Sequence, residues 1–300
     1  MKVGIALGSG AARGWSHIGA IQALEELGVN IDVVAGCSIG AYVGAAYASG
    51  NLEGLKDWAC SLTEWQVFSL MGVGLRKGGL ASGLKVFQIL QEQFCATTYE
   101  DMHKPFAAVA TDLFSGKEVI FNSGEVGNSI QASCAIPALF SPVSHEDRWL
   151  VDGAVVNPVP VNLCRMMGAD FVIAVNLSSD FRPQLREEIK IEKEHEQNQQ
   201  KTDKFFANSQ TRMKQWFGGG ENNEARKTMP SILGVMSSSL EILQARVTRS
   251  RLAGDPPDIL IEPSLRDVGA MEFHRATELS QKGYEAVMRV APQIQYLMRL

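Results

Sequence analysis

The pentapeptide Gly36-Cys37-Ser38-Ile39-Gly40 is where the residue types and spacing of this chain best suit chemistry. It reads G-x-S-x-G. The short apolar run before it, Ile31-Asp32-Val33-Val34-Ala35, suits a buried strand, and the Ala-rich run from Ile39 to Ser49 suits a helix. A serine on a sharp strand-to-helix turn is lifted above the sheet edge, where its Oγ can attack a carbonyl carbon. Gly36 and Gly40 let the two backbones pass without Cβ clashes, and Ile39 opens the helix that follows. The same five-residue pattern also occurs in ordinary tight turns, so the flanks carry the reading.

A second motif, Gly8-Ser9-Gly10-Ala11-Ala12-Arg13-Gly14, follows an apolar run from Val3 to Leu7 and precedes a helical stretch. Such a loop presents free amides at a helix N-terminus. A dinucleotide site would set Gly8, Gly10 and Gly14 against a pyrophosphate and end the second strand in an acid. That strand ends in Ala35-Gly36-Cys37-Ser38 instead. A P-loop needs G-K-[ST], which Arg13-Gly14-Trp15 does not supply. The third reading is an oxyanion hole. Loops leaving the carboxyl ends of adjacent parallel strands meet at one crevice, so if strands one and two are neighbours the Gly10 and Ala11 amides face Ser38. A glycine turn that only packs is the plain alternative.

A hydrolytic serine needs a base. The histidines stand at 17, 103, 145, 195 and 274. The order Ser38, Asp152, His274 matches an α/β-hydrolase triad, but in that fold several strands precede the elbow and here there is one. His274 begins an amphipathic helix and reads as a surface or capping residue; His17 reads as a packing residue on the first helix. Asp152 is the better base. It follows the buried run Trp149-Leu150-Val151, and Asn157-Pro158 and Pro160 constrain the chain after it. Asp-Gly between apolar runs is equally the signature of a hairpin turn, and both readings stand at this point.

The elements that must hold these groups alternate. Strands are expected at 3–7, 31–35, 106–111, 117–121, 149–153, 171–175 and 259–261. Helices are expected after Gly14 to Glu26, from Ile39, over 52–69, 84–94, 126–133, 230–251 and 272–300, with a glycine-rich loop at 72–83. Strands alternating with helices predict an α/β fold, a three-layer α/β/α sandwich with a mostly parallel central sheet. Residues 1–181 form the expected catalytic core, 182–229 a charged and amphipathic insertion, and 230–300 the helices and strand that complete the core.

The bulk properties exclude several classes. A net charge of −5 argues against a nucleic-acid partner. Five cysteines with no C-x-x-C indicate neither a disulfide framework nor a zinc site, and no spacing implies a metal or cofactor. The first residues run straight into strand one, too short for a signal peptide, and no uninterrupted apolar stretch of membrane-spanning length exists, so a cytoplasmic location is expected. Within the insertion, Lys201–Gly218 reads as an amphipathic helix. Phe205, Phe206, Ser209, Met213, Trp216 and Phe217 fall in one arc of about 120°. With Lys201, Lys204, Arg212 and Lys214 in other directions, it suits peripheral membrane contact; packing as a lid or at a dimer interface is the competing reading, and the oligomeric state is open.

Four ordered blocks carry a family resemblance: Gly8 to Gly14, Gly36 to Gly40, Ala132-Ser133-Cys134-Ala135-Ile136-Pro137, and Asp152-Gly153-Ala154. Together they resemble the patatin-like phospholipases, most closely the small bacterial branch related to neuropathy-target-esterase-type enzymes. The resemblance implies a Ser–Asp dyad, with Ser38 as nucleophile and Asp152 as base, on a patatin-like sandwich that hydrolyses acyl esters of lipids. It implies an oxyanion role for the backbone of Gly8, Ser9, Gly10, Ala11, Arg13 and Gly14. The family's loop is often richer in glycine, and here Ser9 and Ala11 depart from it. The expected function is a serine acyl hydrolase acting on phospholipid or lysophospholipid through an acyl-enzyme. The alternative is a catalytically weak relative acting as a regulatory or scaffold component.

Overall fold

Strands β1 (Val3–Leu7) and β2 (Val33–Cys37) are buried along their whole length and pair in parallel, with Leu7 opposite Gly36. Full burial on both faces explains why neither alternates apolar and polar residues. The structure is a computed structural model that describes residues 1–71, 73–76, 79–81, 84–180 and 232–299. The chain divides into two units, Met1–Phe181 with Leu243–Leu300, and Arg182–Ile242. The expected helix at Lys201–Gly218 lies outside the described residues.

In the first unit the sheet order is β10-β9-β1-β2-β5-β8-β7, where β5 is Phe106–Asp112, β7 Val143–His145, β8 Arg148–Asp152, β9 Phe171–Val175 and β10 Ile259–Ile261. β6 (Glu118–Phe121) also pairs with β5. Pairing is parallel from β10 to β5, and antiparallel where β5 meets β6 and β8 and where β7 meets β8. The sheet is therefore mixed and mostly parallel. One face is covered by α1 (Ser16–Glu26), α2 (Ile39–Ala48) and the helix Ala276–Met298, whose Ile18, Ile21, Val43 and Leu279 share one buried cluster with Ile5 and Leu7. On the other face, α7 (Val161–Met166) packs on β1, β2 and β9, and Leu252 of the helix Ile232–Gly254 packs against a second buried cluster that holds Val33, Ala35, Leu163 and Val172.

The run expected as one helix over 52–69 is two, α3 (Leu52–Ser61) and α4 (Glu64–Met71). Leu62 is extended, and Thr63 starts a capping box. The Thr63 amide donates to Gln66 Oε1 at 2.8 Å and the Gln66 amide to Thr63 Oγ1 at 3.3 Å. The expected loop at 72–83 contains two short antiparallel strands, β3 (Val73–Arg76) and β4 (Gly79–Ala81). The run 84–94 starts as α5 (Leu84–Ile89) and ends in a π-turn, and 126–133 forms α6.

Candidate active site

Ser38 sits between β2 and α2 with φ 56° and ψ −125°, a conformation that costs a non-glycine residue about 1–3 kcal/mol. Three contacts hold it there. Its amide donates to Ser133 Oγ at 2.9 Å, and its carbonyl accepts from the Ala41 and Tyr42 amides at 2.8 and 3.1 Å. The glycines on either side permit the turn. A Cβ on Gly40 would overlap the Leu7 carbonyl, and one on Gly36 would press into the Ala41 backbone.

Strand register brings Asp152 to the same level. Cys37 of β2 lies opposite Val109 of β5, and the next residue, Ala110, lies opposite Asp152 of β8. Asp152 thus ends an antiparallel strand two places across the sheet from Ser38. Ser38 Oγ donates to Asp152 Oδ2 at 2.6 Å. The other oxygen, Oδ1, accepts from the Ala154 amide at 2.8 Å. The Asp152 backbone is pinned on both sides, its amide to the Ala135 carbonyl at 2.9 Å and its carbonyl by Thr111 Oγ1 at 2.9 Å. Gly153 has no room for a side chain, because a Cβ would overlap the Val109 carbonyl. The hairpin reading of Asp152-Gly153 therefore does not hold: the chain enters a 3-10 turn, Gly153–Val155, packed against β5.

Burial pushes the Asp152 carboxyl up to about 7, against the opposing pull of its bonds from Ser38 and Ala154. Cys134 lies beside the pair. Burial holds its thiol well above the usual range, helped by the Asp152 charge and opposed by a hydrogen bond with Ser38. The histidines stand apart. His274 Nε2 lies 3.4 Å from Glu64 Oε1 and is partly exposed. His17 is fully buried, and its Nε2 bonds the Gly8 carbonyl at 2.7 Å. Among the described residues, no histidine hydrogen-bonds Ser38 or Asp152.

The loop after β1 narrows the expectation for oxyanion donors. The Gly8 amide is spent on the Val175 carbonyl at 3.0 Å, Ser9 on Pro158 at 2.9 Å, and Arg13 on Gly10 at 3.2 Å. The Arg13 side chain is buried, with Nε donating to the Val268 carbonyl at 3.0 Å. Gly14 serves packing, since a Cβ there would overlap Ile39. Gly10 and Ala11 differ. Among the described residues no acceptor meets their amides, and Ala11 is held at φ 49°.

Ala11 and Ser38 share the wall of a cavity of about 70 Å³. Ile39, Cys134 and Ile136 also line it, and Trp58, Leu62 and Val67 come from α3, α4 and the link between them. Apart from the Ser38 and Tyr42 hydroxyls the walls are apolar, and the Tyr42 hydroxyl is engaged with the Val86 carbonyl at 3.1 Å. Trp15 ties the aromatic wall together, meeting Tyr42, Trp58 and Phe273 edge-on at 6.2, 6.3 and 6.0 Å. Ser133, Thr111 and the aromatic walls received no role from sequence reasoning. For Ser133 the signal was available, in the Ala132–Pro137 block. Among the described residues, no group of three or more His, Cys, Asp or Glu side chains gathers as metal ligands would.

The chain is similar to several known proteins. An NTE family protein of Mycobacterium tuberculosis, itself uncharacterized, is 32% identical over 94% of this chain and 89% of its own length. The lysophospholipase NTE1 of Mycosarcoma maydis is 34% identical over 60% of this chain, which spans 10% of that protein. Among solved structures, VipD from Legionella pneumophila aligns over 97% of this chain and 67% of its own, at 15% identity and a TM-score of 0.48. The family model for patatin-like phospholipase matches residues 5–165, more than half the chain and the stretch that contributes Ser38, Asp152 and the loop between β1 and α1; this protein belongs to the patatin-like phospholipase family.

Proposed function

We propose that this protein is a serine acyl hydrolase cleaving acyl esters of lipids, phospholipid or lysophospholipid, with Ser38 as nucleophile and Asp152 as general base. One observation carries the reading: the 2.6 Å hydrogen bond from Ser38 Oγ to Asp152 Oδ2, at the wall of an apolar cavity. Near neutral pH the carboxyl is balanced between its two forms, which suits a group that must take a proton and give it back. Ser38 Oγ attacks the ester carbonyl as its proton passes to Asp152. The Gly10 and Ala11 amides, with the Ile39 amide opening α2, receive the developing negative charge. Asp152 then protonates the leaving alcohol, and water attacks the acyl-enzyme by the same route in reverse. The acyl chain occupies the cavity.

On this reading residues 1–181 and 230–300 form the catalytic body, and 182–229 a charged and amphipathic insertion. Among the described residues no helix is long and apolar enough to cross a membrane. The test is labelling with a fluorophosphonate together with hydrolysis of p-nitrophenyl butyrate. Wild type reacts with both; Ser38→Ala reacts with neither while keeping its circular dichroism. A folded Ser38→Ala variant retaining more than about a tenth of the activity sinks the assignment, because loss of a nucleophile costs several orders of magnitude in rate. A wild type inert to both probes points to the scaffold alternative.

A further inference from the structure

Among the buried titratable side chains that the dyad does not use is a histidine. His17 lies on α1, has no exposed surface, and bonds neither Ser38 nor Asp152. Its Nε2 sits 2.7 Å from the Gly8 carbonyl oxygen. A carbonyl only accepts, so the proton must be on Nε2. The other nitrogen, Nδ1, is buried and meets no hydrogen-bond partner among the described residues. An imidazolium would leave a charged N–H there without an acceptor, a costly arrangement in an apolar setting. Geometry thus selects a single form, the neutral ring with its proton on Nε2. Burial, only partly opposed by the Gly8 bond, pushes the ring down to about 4, in agreement.

The bond's location gives it a function. The peptide unit from Gly8 to Ser9 is gripped at both ends: its carbonyl by His17, its N–H by the Pro158 carbonyl at 2.9 Å. Gly8 is anchored again through its amide to Val175, and the chain is next fixed where the Ala12 amide meets the Ala270 carbonyl at 3.0 Å. Between these anchors hang the two uncommitted amides, Gly10 and Ala11, with Ala11 at φ 49°. A strained segment relaxes unless its ends are held. The grip at Gly8 sets the orientation of the peptide planes that follow.

We propose that His17 is a positioning residue: its neutral imidazole clamps the Gly8 carbonyl and thereby aims the Gly10 and Ala11 amides at the oxyanion formed on Ser38. The inference rests on the hydrolase reading above. It predicts that losing the N–H donor harms turnover more than substrate binding, because the aimed amides act most strongly on charge that exists only in the transition state.

The experiment compares His17→Phe, which keeps the ring volume without a donor, with His17→Gln, whose amide N–H reaches a similar position. Rates on p-nitrophenyl butyrate are taken per folded molecule, scored by circular dichroism and thermal melting. For His17→Phe, kcat should fall about 10- to 100-fold with KM within about twofold, less than the 10²–10³ of deleting an oxyanion donor outright. His17→Gln should recover to within about fivefold of wild type. Folded His17→Phe with wild-type kcat overturns the inference, as does folded His17→Gln as impaired as His17→Phe. Should His17→Phe fail to fold, ¹⁵N-histidine NMR of the wild type at pH 7 decides: a neutral ring protonated on Nε2 is expected, and a ring protonated on Nδ1, or on both nitrogens, overturns it. A wild type inert to ester and fluorophosphonate defeats the dyad reading and this inference with it; an active wild type with an unimpaired His17→Phe defeats the inference alone.

Discussion

Replacing Asp152 by Asn should make the protein inactive and, above neutral pH, more stable. The carboxyl is 1% exposed, and burial raises it from the usual carboxylate value near 3.9 to about 7. Below pH 4 both folded and unfolded chains hold the proton. Between pH 4 and 7 the unfolded chain releases it and the folded one keeps it, so stability falls as pH rises; above 7 the loss is complete. About three decades of proton activity at about 1.4 kcal/mol each give a cost of about 4 kcal/mol for the ionised base, a large share of the 5–15 kcal/mol that holds a typical domain together. Asn has nearly the same shape. Its Oδ1 can still accept from the Ala154 amide, and its Nδ2 takes the place of the oxygen that met Ser38, with no charge to desolvate. Urea unfolding at pH 5 and pH 8 isolates the effect. The stability of Asp152→Asn relative to wild type should rise by about 3 kcal/mol between the two, while wild-type kcat/KM gains a limb near pH 7 as the base ionises. A gap that stays constant to within about 1 kcal/mol refutes the burial argument, and Asn with more than about a tenth of wild-type kcat refutes the role of the carboxylate.

Three further substitutions test the supports of the site. Gly14→Ala pushes a methyl into Ile39, next to Ser38, and should lower the melting temperature sharply, with Ile39→Ala in the same chain restoring part of the loss. Ser133→Ala leaves the buried Ser38 amide without its acceptor; urea unfolding should show about 1–3 kcal/mol of destabilisation, and fluorophosphonate labelling should slow. Trp58→Ala lengthens the apolar cavity, so the ratio of kcat/KM for a dodecanoyl over a butanoyl p-nitrophenyl ester should rise at least tenfold, given about 0.8 kcal/mol per buried methylene; an unchanged ratio means the chain lies elsewhere.

The elbow was legible because everything that makes it is local: a buried strand, two glycines and a helix within twenty residues of one another. Asp152 was ambiguous for the opposite reason. Whether Asp-Gly turns a hairpin or faces a serine depends on the pairing of Ala110 with Asp152 and of Cys37 with Val109, and register between distant strands leaves no mark in either segment alone. The parallel half of the sheet followed from alternating elements, while its antiparallel end at β7 and β8 rested on a three-residue strand with little pattern to read. The break between α3 and α4 is written in Thr63-x-x-Gln66, a local capping signal that helical periodicity over 52–69 masks. The free amides of Gly10 and Ala11 could be distinguished from their neighbours only by knowing where Pro158, Val175 and Ala270 lie.

The helix Ala276–Met298 crosses α1 so closely that neither tolerates a Cβ at the contact: one on Gly19 would overlap the Ser280 carbonyl, and one on Gly283 the Ser16 carbonyl. The loop after β1 is likewise anchored by Val268 and Ala270. A ribosome that has translated as far as Asp152 has made both members of the proposed dyad but none of these anchors. Closing the Arg13–Val268 contact spans 255 residues, which is entropically slow, and it must await synthesis of the segment that holds Val268. On the proposed reading, a nascent chain that has reached Asp152 therefore carries Ser38 and its partner before the loop after β1 is fully fixed, and that loop takes its set only once Val268, Ala270 and the helix Ala276–Met298 have been made.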